Sequence, residues 1–228
     1  MSPLPSDYQG THRVNARTNN RVIAGSMMIH EAWPAPGGND ARGPVPAAVA
    51  NGYSLAHAGA VAVGTRDMVL GGPRVIQGVG QPVYLRNVVI TVTHAAAVVA
   101  MSGIIYGNDA AGKPIQEAWA VIAGGLTQTF TGKKAFQIVT RITETNAADA
   151  SANTIIAGTG ATLGLSAKVS VPSLLKEVVD GVVVVTGVVV GASAAAAADA
   201  LGTYTPAAAP DGVHLYSVYY ISDDPWNS

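Results

Sequence analysis

The run Met101-Ser-Gly-Ile-Ile-Tyr106, Gly107-Asn-Asp-Ala-Ala-Gly-Lys-Pro114, Ile115-Gln-Glu-Ala-Trp119 decides the fold class. Two apolar, partly β-branched segments flank eight residues in which Asn108, Asp109 and Gly112 tolerate positive φ, and that combination specifies a β-hairpin. The same residues have the spacing G-x-x-x-x-G-K from Gly107 to Lys113, the first half of a phosphate-binding loop. Such a loop then needs a Ser or Thr hydroxyl for the metal and a helix whose N-terminus faces the phosphates. Pro114 and an apolar strand follow instead, so the hairpin is preferred.

The texture repeats outward from this hairpin. From about Gly52, short β-branched or alternating runs are separated by turn chemistry, which is the signature of an all-β sandwich or barrel. The candidate strands are 60–63, 83–93, 98–106, 115–122, 136–143, 154–157, 168–171, 182–190 and 213–221. Helix is scarce: Ser173 to Val179, with Leu174, Leu175 and Val178, could form a turn or two, and Ala194 to Ala200 another. No internal repeat of solenoid length occurs. Residues 1–50 differ, holding six of the 13 prolines and much of the Asn and Arg, without sustained apolar periodicity. They read as an extended arm, with Arg13, Arg17 and Arg21 on a polar stretch and Trp33 in a Pro-rich one. The arm is either a surface leader or a segment that orders on a neighbouring subunit. The expected division is therefore an arm, 1–50, and one β-sandwich domain, 51–228.

Composition narrows the function. Hydrophobic residues are 49% of the chain, yet Phe is 2 and Trp 3, so the apolar content is mostly Ala and Val and the sheets carry small side chains. Charged residues are 12%, about half the usual share, and the net charge is −1. A surface so poor in charge is expected to be covered by neighbours, which favours a homo-oligomer. It offers no clustered Lys and Arg for phosphates, so nucleic acid is not expected as a direct partner. The absence of Cys removes disulfides, thiolate nucleophiles and Cys-based zinc sites. Met1 to Asp7 lacks a basic region followed by an apolar run, so no signal peptide is expected. Residues 181–198 are uncharged and long enough for a marginal membrane span. Their β-branched Val runs, the interruptions at Gly181, Gly187 and Gly191, and the lack of flanking anchors favour a buried strand pair and no membrane partner.

No motif for catalysis stands out. Gly158 to Gly164 has glycines spaced G-x-G-x-x-x-G with no helix behind it, which reads as a loop with close backbone packing. His12, His30, His57, His94 and His214 are scattered singly, without metal-ligand spacing. Asp223 and Asp224 are adjacent, hence on opposite faces if extended, and read as a solvated tail. No Gly-x-Ser-x-Gly elbow is present, although a triad assembled by the fold would be invisible in one sequence. No catalytic, cofactor-binding or metal residue is therefore assigned, no cofactor is expected, and the chain is not expected to be an enzyme. Tyr216, Tyr219 and Tyr220 alternate in a late strand and suit either a contact surface or a sheet core.

Several segments together resemble the capsid decoration, or cement, proteins of tailed bacteriophages and related head and neck components. They are Gly103 to Glu117, Gly132-Lys-Lys-Ala-Phe136 with the Ile-Val-Thr-Arg-Ile-Thr that follows, Ile156 to Leu165, and Leu201 to Pro206 running into Pro210 to Tyr216. The resemblance covers about the last 130 residues and excludes the arm. It implies a jelly-roll-like β-sandwich, often trimeric, on the outer surface of the virion and bridging subunits of the major capsid protein. No catalytic residue comes with it. The rivals are a neck or tail structural protein of the same virion, a host-surface carbohydrate-binding module, and an enzyme.

Overall fold

Along Arg86–Thr93 (β9), Val88, Ile90 and Val92 are buried while Val89, Thr91 and Thr93 face outward. That two-residue period places one face of a sheet on a core. A computed structural model describes residues 11–13, 17–18, 21–22, 27–33, 44–169, 174–184, 187–191 and 201–222. Among them the chain is all-β, with nineteen strands and no helix. It divides into two compact units, residues 47–164 and residues 1–46 with 165–228.

The 47–164 unit holds two antiparallel layers. In one, Thr127–Phe136 (β12), β9 and Thr154–Gly164 (β14) lie side by side, and Ser54–Ala58 (β5) also pairs with β14. In the other, Pro114–Val121 (β11), Met101–Asn108 (β10) and Ile138–Asn146 (β13) are neighbours. Gly64–Asp67 (β6), Val75–Ile76 (β7) and Val79–Gly80 (β8) complete that layer. Val88, Ile90, Val92 and Ile155 from the first layer meet Ile105, Trp119, Val139 and Ile142 from the second in one core, which makes the unit sandwich-like.

The deciding hairpin forms as expected, with β10 and β11 paired from Met101↔Val121 to Asn108↔Pro114. Asp109 organises its turn: Oδ1 accepts the N–H groups of Ala111 and Lys113, each at 2.9 Å, and Gly112 takes φ 76°. Pro114 costs no ladder bond, because β11 is the outer strand of its layer. Next to the hairpin, Trp119 Nε1 donates to Thr143 O at 2.9 Å. Gly103 permits that approach, since a Cβ there would lie 1.9 Å from the same carbonyl.

In the other unit, Thr11–Arg13 (β1), Met27–Trp33 (β4), Tyr216–Ser222 (β19), Leu174–Val179 (β15) and Val182–Val184 (β16) form one antiparallel sheet in that order. Val188–Gly191 (β17) pairs with Gly202–Thr205 (β18), and Arg17–Thr18 (β2) with Arg21–Val22 (β3). Tyr216, Val218, Tyr220 and Ser222 bury one face of β19. Trp33 stacks on Tyr204 with ring centroids 5.6 Å apart.

Several expectations are corrected. The arm of residues 1–50 is not free throughout, because β4 lies inside a sheet between β1 and β19, in register from Trp33↔Tyr216 to Met27↔Ser222. The single domain 51–228 is divided near residue 164. Residues 173–179, read as a helical turn, are instead β15 from Leu174 onward, where pairing with β19 and β16 overrides local propensity. The buried strand 182–190 splits into β16 and β17, which pair with different neighbours, and Val182, Val183 and Val188 are exposed. Residues 60–63 are the loop between β5 and β6, whereas the expected strand 136–143 is borne out over 138–143, the first part of β13, with Phe136 closing β12. The expected loop 158–164 is the second half of β14, and its close packing is real: a Cβ on Gly158 would lie 1.9 Å from Val49 O. Ala194 to Ala200 lie outside the described residues. No helix among the described residues is long and apolar enough to cross a membrane.

Candidate functional site

A cluster of titratable groups in the 47–164 unit centres on Glu144 of β13. Its carboxylate is buried, with the side chain 1% exposed. It accepts from Arg66 Nε on β6, and its Oε2 lies 3.0 Å from His57 Nε2 on β5. Arg66 also donates to Ala58 O at 2.6 Å. The hydrogen bond to Glu144 is the main cause that raises the His57 imidazole above its ordinary value, against burial. Burial would raise the Glu144 carboxyl, but the hydrogen bonds and charges of His57 and Arg66 carry it below its ordinary value.

Ser54 Oγ lies 3.4 Å from His57 Nδ1, so serine, histidine and carboxylate stand in the order a hydrolase uses. The serine, however, is enclosed. Ser54 is 1% exposed and its hydroxyl donates to Leu55 O at 3.2 Å. The same carbonyl is 3.2 Å from Nδ1, closer than Ser54 Oγ, and so competes with the serine for that nitrogen. The cluster is a clasp across strands from both layers.

A second feature is a shallow depression of about 710 Å³ on the outer face of β10, β11 and β13. Ser102, Tyr106, Arg141, Thr143 and Thr145 line it, and no carboxylate does. The Arg141 guanidinium covers the Tyr106 ring, 5.4 Å from its centroid, and donates through Nε to Asp67 at 2.7 Å. The hydroxyls of Thr65 and Thr145 bond each other at 2.7 Å. Such a face can hydrogen-bond a neutral polar ligand, and of the aromatic rings in its lining, Tyr106, Trp119 and Phe130, that of Tyr106 is covered by Arg141.

Other titratable groups tie turns and strands. His214 Nδ1 bonds Asp180 and its Nε2 lies 3.3 Å from Asp211, all three exposed; the bond to Asp180 raises the imidazole, while backbone N–H donors lower both aspartates. His94 Nδ1 accepts the N–H groups of Ala96 and Ala97. His30 stacks on Tyr219 at 4.3 Å, and burial followed by the Lys176 charge lowers it. Buried Glu177 accepts from Tyr204 OH, Gly187 N–H and Ala207 N–H. Glu117 of β11 accepts from Lys133 N–H and Lys134 N–H of β12, joining the outer strands of the two layers, and burial raises it.

Of the residues singled out in the sequence, Tyr216 and Tyr220 are core and Tyr219 is half-buried. His12 is on β1, and Asp223 and Asp224 lie outside the described residues. Among the described residues no group of three or more His, Asp or Glu side chains is disposed to hold a metal ion. The Glu144 clasp went unseen in the sequence because its members are 78 and 87 residues from Glu144, with no local pattern. No protein-family model matches the chain, and neither a curated protein nor a solved structure matches it.

Proposed function

We propose that the chain is a non-catalytic virion structural protein: a capsid decoration protein that sits on the outer surface of a phage head and stabilises it by bridging subunits of the major capsid protein. One observation supports the non-catalytic part above others. The buried carboxylates Glu117, Glu144 and Glu177 all have their oxygens filled by donors from other strands or loops. Groups so engaged hold a scaffold together and are not free to move protons on a substrate.

The virion placement draws on the resemblance of residues 103–117, 132–136, 156–165 and 201–216 to decoration proteins, and the two-layer 47–164 unit fits the jelly-roll-like sandwich those proteins use. In this reading the protein acts as a homo-oligomer, a trimer as the resemblance implies. Many modest contacts on one rigid shell then add through effective concentration. The outer strands β11 and β12 are available for strand addition, which needs only main-chain hydrogen bonds.

The test is the copy number of this protein per purified particle, measured by quantitative mass spectrometry against the major shell protein. Hundreds of copies are expected. A dozen would move the protein to the neck or tail, and none would sink the virion reading. The depression at Tyr106 and Arg141 favours the carbohydrate-binding module as a second reading, and glycan-array binding that is lost in Arg141→Ala would support it.

A further inference from the structure

Four connections gather at one end of the 47–164 unit. The register places Thr93 beside both Thr127 and Thr154, Met101 beside both Val121 and Asn146, and Gly64 beside Asn146. The loops 59–63, 94–100, 122–126 and 147–153 therefore emerge together. They are bound to one another: His94 N–H donates to Leu126 O, Val98 N–H to Gly125 O, Gly59 N–H to Asn153 O and Ala150 N–H to Ala60 O, at 2.9 to 3.0 Å. Asn153 adds a side-chain bond to Val99 N–H at 3.1 Å. This end is preformed, so little ordering would be needed for it to bind.

Its chemistry is unusual for a surface. The loops read Gly-Ala-Val-Ala-Val, His-Ala-Ala-Ala-Val-Val-Ala, Ile-Ala-Gly-Gly-Leu and Ala-Ala-Asp-Ala-Ser-Ala-Asn. Val61 is 67% exposed, Val63 68%, Ile122 72% and Leu126 60%. With the exposed alanines they present on the order of 800 Å² of apolar surface, above the few hundred Å² usual on a monomer and about one partner's share of a standard interface. His94 and Asp149 are the only titratable residues in the four loops, and the Asp149 carboxylate is turned to Ser151 N–H at 2.9 Å.

We propose that this loop end is where copies of the chain meet, loop end against loop end. Contact between copies brings like charges together wherever a face carries charge of one sign, and a face almost free of charge avoids that cost. This end meets that condition, whereas the opposite end carries charge, with Asp109 and Lys113 in the β10–β11 turn and Lys133 on β12. A lipid surface fits less well, because the loops carry no Lys, Arg, Trp or Tyr to anchor in headgroups. The inference rests on the homo-oligomer of the reading above and gives its contact face; assembly in solution is read separately from copy number on particles, so either can fail alone.

Sedimentation velocity on the full chain, with Val61→Asp and Ile122→Asp, tests it. Both side chains are exposed, so the variants should keep the wild-type circular dichroism and urea midpoint, which are measured alongside. The wild type is expected at a multiple of 23.0 kDa, and each variant at the monomer mass or with association weakened at least about 100-fold, the cost of desolvating an unpaired carboxylate. Lys113→Asp, at the opposite end, should remain assembled. A wild type that is monomeric up to about 100 µM would overturn the proposal. So would folded variants that stay assembled, or a monomer that binds phosphatidylcholine vesicles through the same residues.

Discussion

Glu144 concentrates on one carboxylate what several side chains do elsewhere in the molecule. Removing its charge leaves Arg66 and His57 facing a poorer acceptor, so Glu144→Gln should cost roughly 2–3 kcal/mol in urea unfolding, less than a fully buried pair because both cations are partly exposed. The pH dependence follows from the two shifts. His57 is raised above its ordinary 6.5, so the stability it adds is complete below that value and is lost as pH rises through its folded value. Glu144 is lowered below its ordinary 4.5, so its contribution is complete above that value and is lost as pH falls through its folded value. The clasp is therefore strongest between 4.5 and 6.5. The excess stability of the wild type over His57→Gln should shrink when the urea midpoints are compared at about pH 5.5 and about pH 8.5; a constant difference would show that the imidazole charge is not involved. Neither partner could be read from sequence, since His57 looks like any isolated histidine until β5 and β13 are placed. Asp109, by contrast, was placed in its turn beforehand, though for positive φ, which only Gly112 takes there, and not for the N–H groups its carboxylate accepts.

At the level of strands, the close approaches set the limits. Gly103→Ala would push a methyl group into Thr143 O and displace the Trp119 indole, so a loss of about 3 kcal/mol or more is expected. Asp109→Ala removes two turn hydrogen bonds and should cost only about 1–2 kcal/mol, leaving the β10–β11 register intact by hydrogen exchange. The strands legible in sequence were those with sustained alternation and a clear turn: β9, β10, β11 and β19. Those missed have physical reasons. β15 carries Leu174, Leu175 and Val178 at spacings a helix also uses, and its β state comes from partners, of which β19 lies about 40 residues later. In β12 the alternation of Thr127, Thr129 and Thr131 places threonines outside, and a register shift between Thr131 and Ala135 breaks the pattern near Glu117. β4 was hidden by the Pro-rich flank after Trp33, although Ile29, Glu31 and Trp33 alternate with Met28, His30 and Ala32.

For the molecule as a whole, composition was the informative signal. The 12% charge pointed to surface that wants covering, and the apolar loop end is one place where such surface is found. The main hydrophobic cluster, including Trp119, Phe136 and Ile142, lies entirely within residues 47–164. A fragment of those residues should therefore unfold cooperatively in urea, with a near-ultraviolet signal from Trp119; a gradual transition would mean that the core depends on the rest of the chain. The unit is also an insertion, interrupting a sheet whose central strands β4 and β19 come from the two chain segments on either side of it. The bond from Tyr220 to Glu31 spans 189 residues of sequence. At about 5–20 residues per second of synthesis, β4 waits roughly 10–40 s for β19, time enough for the inserted unit to fold first. Until then Trp33 and Glu31 lack their β19 partners, so the nascent chain is vulnerable to aggregation and proteolysis at β4, and a chaperone acting during synthesis would find its substrate there.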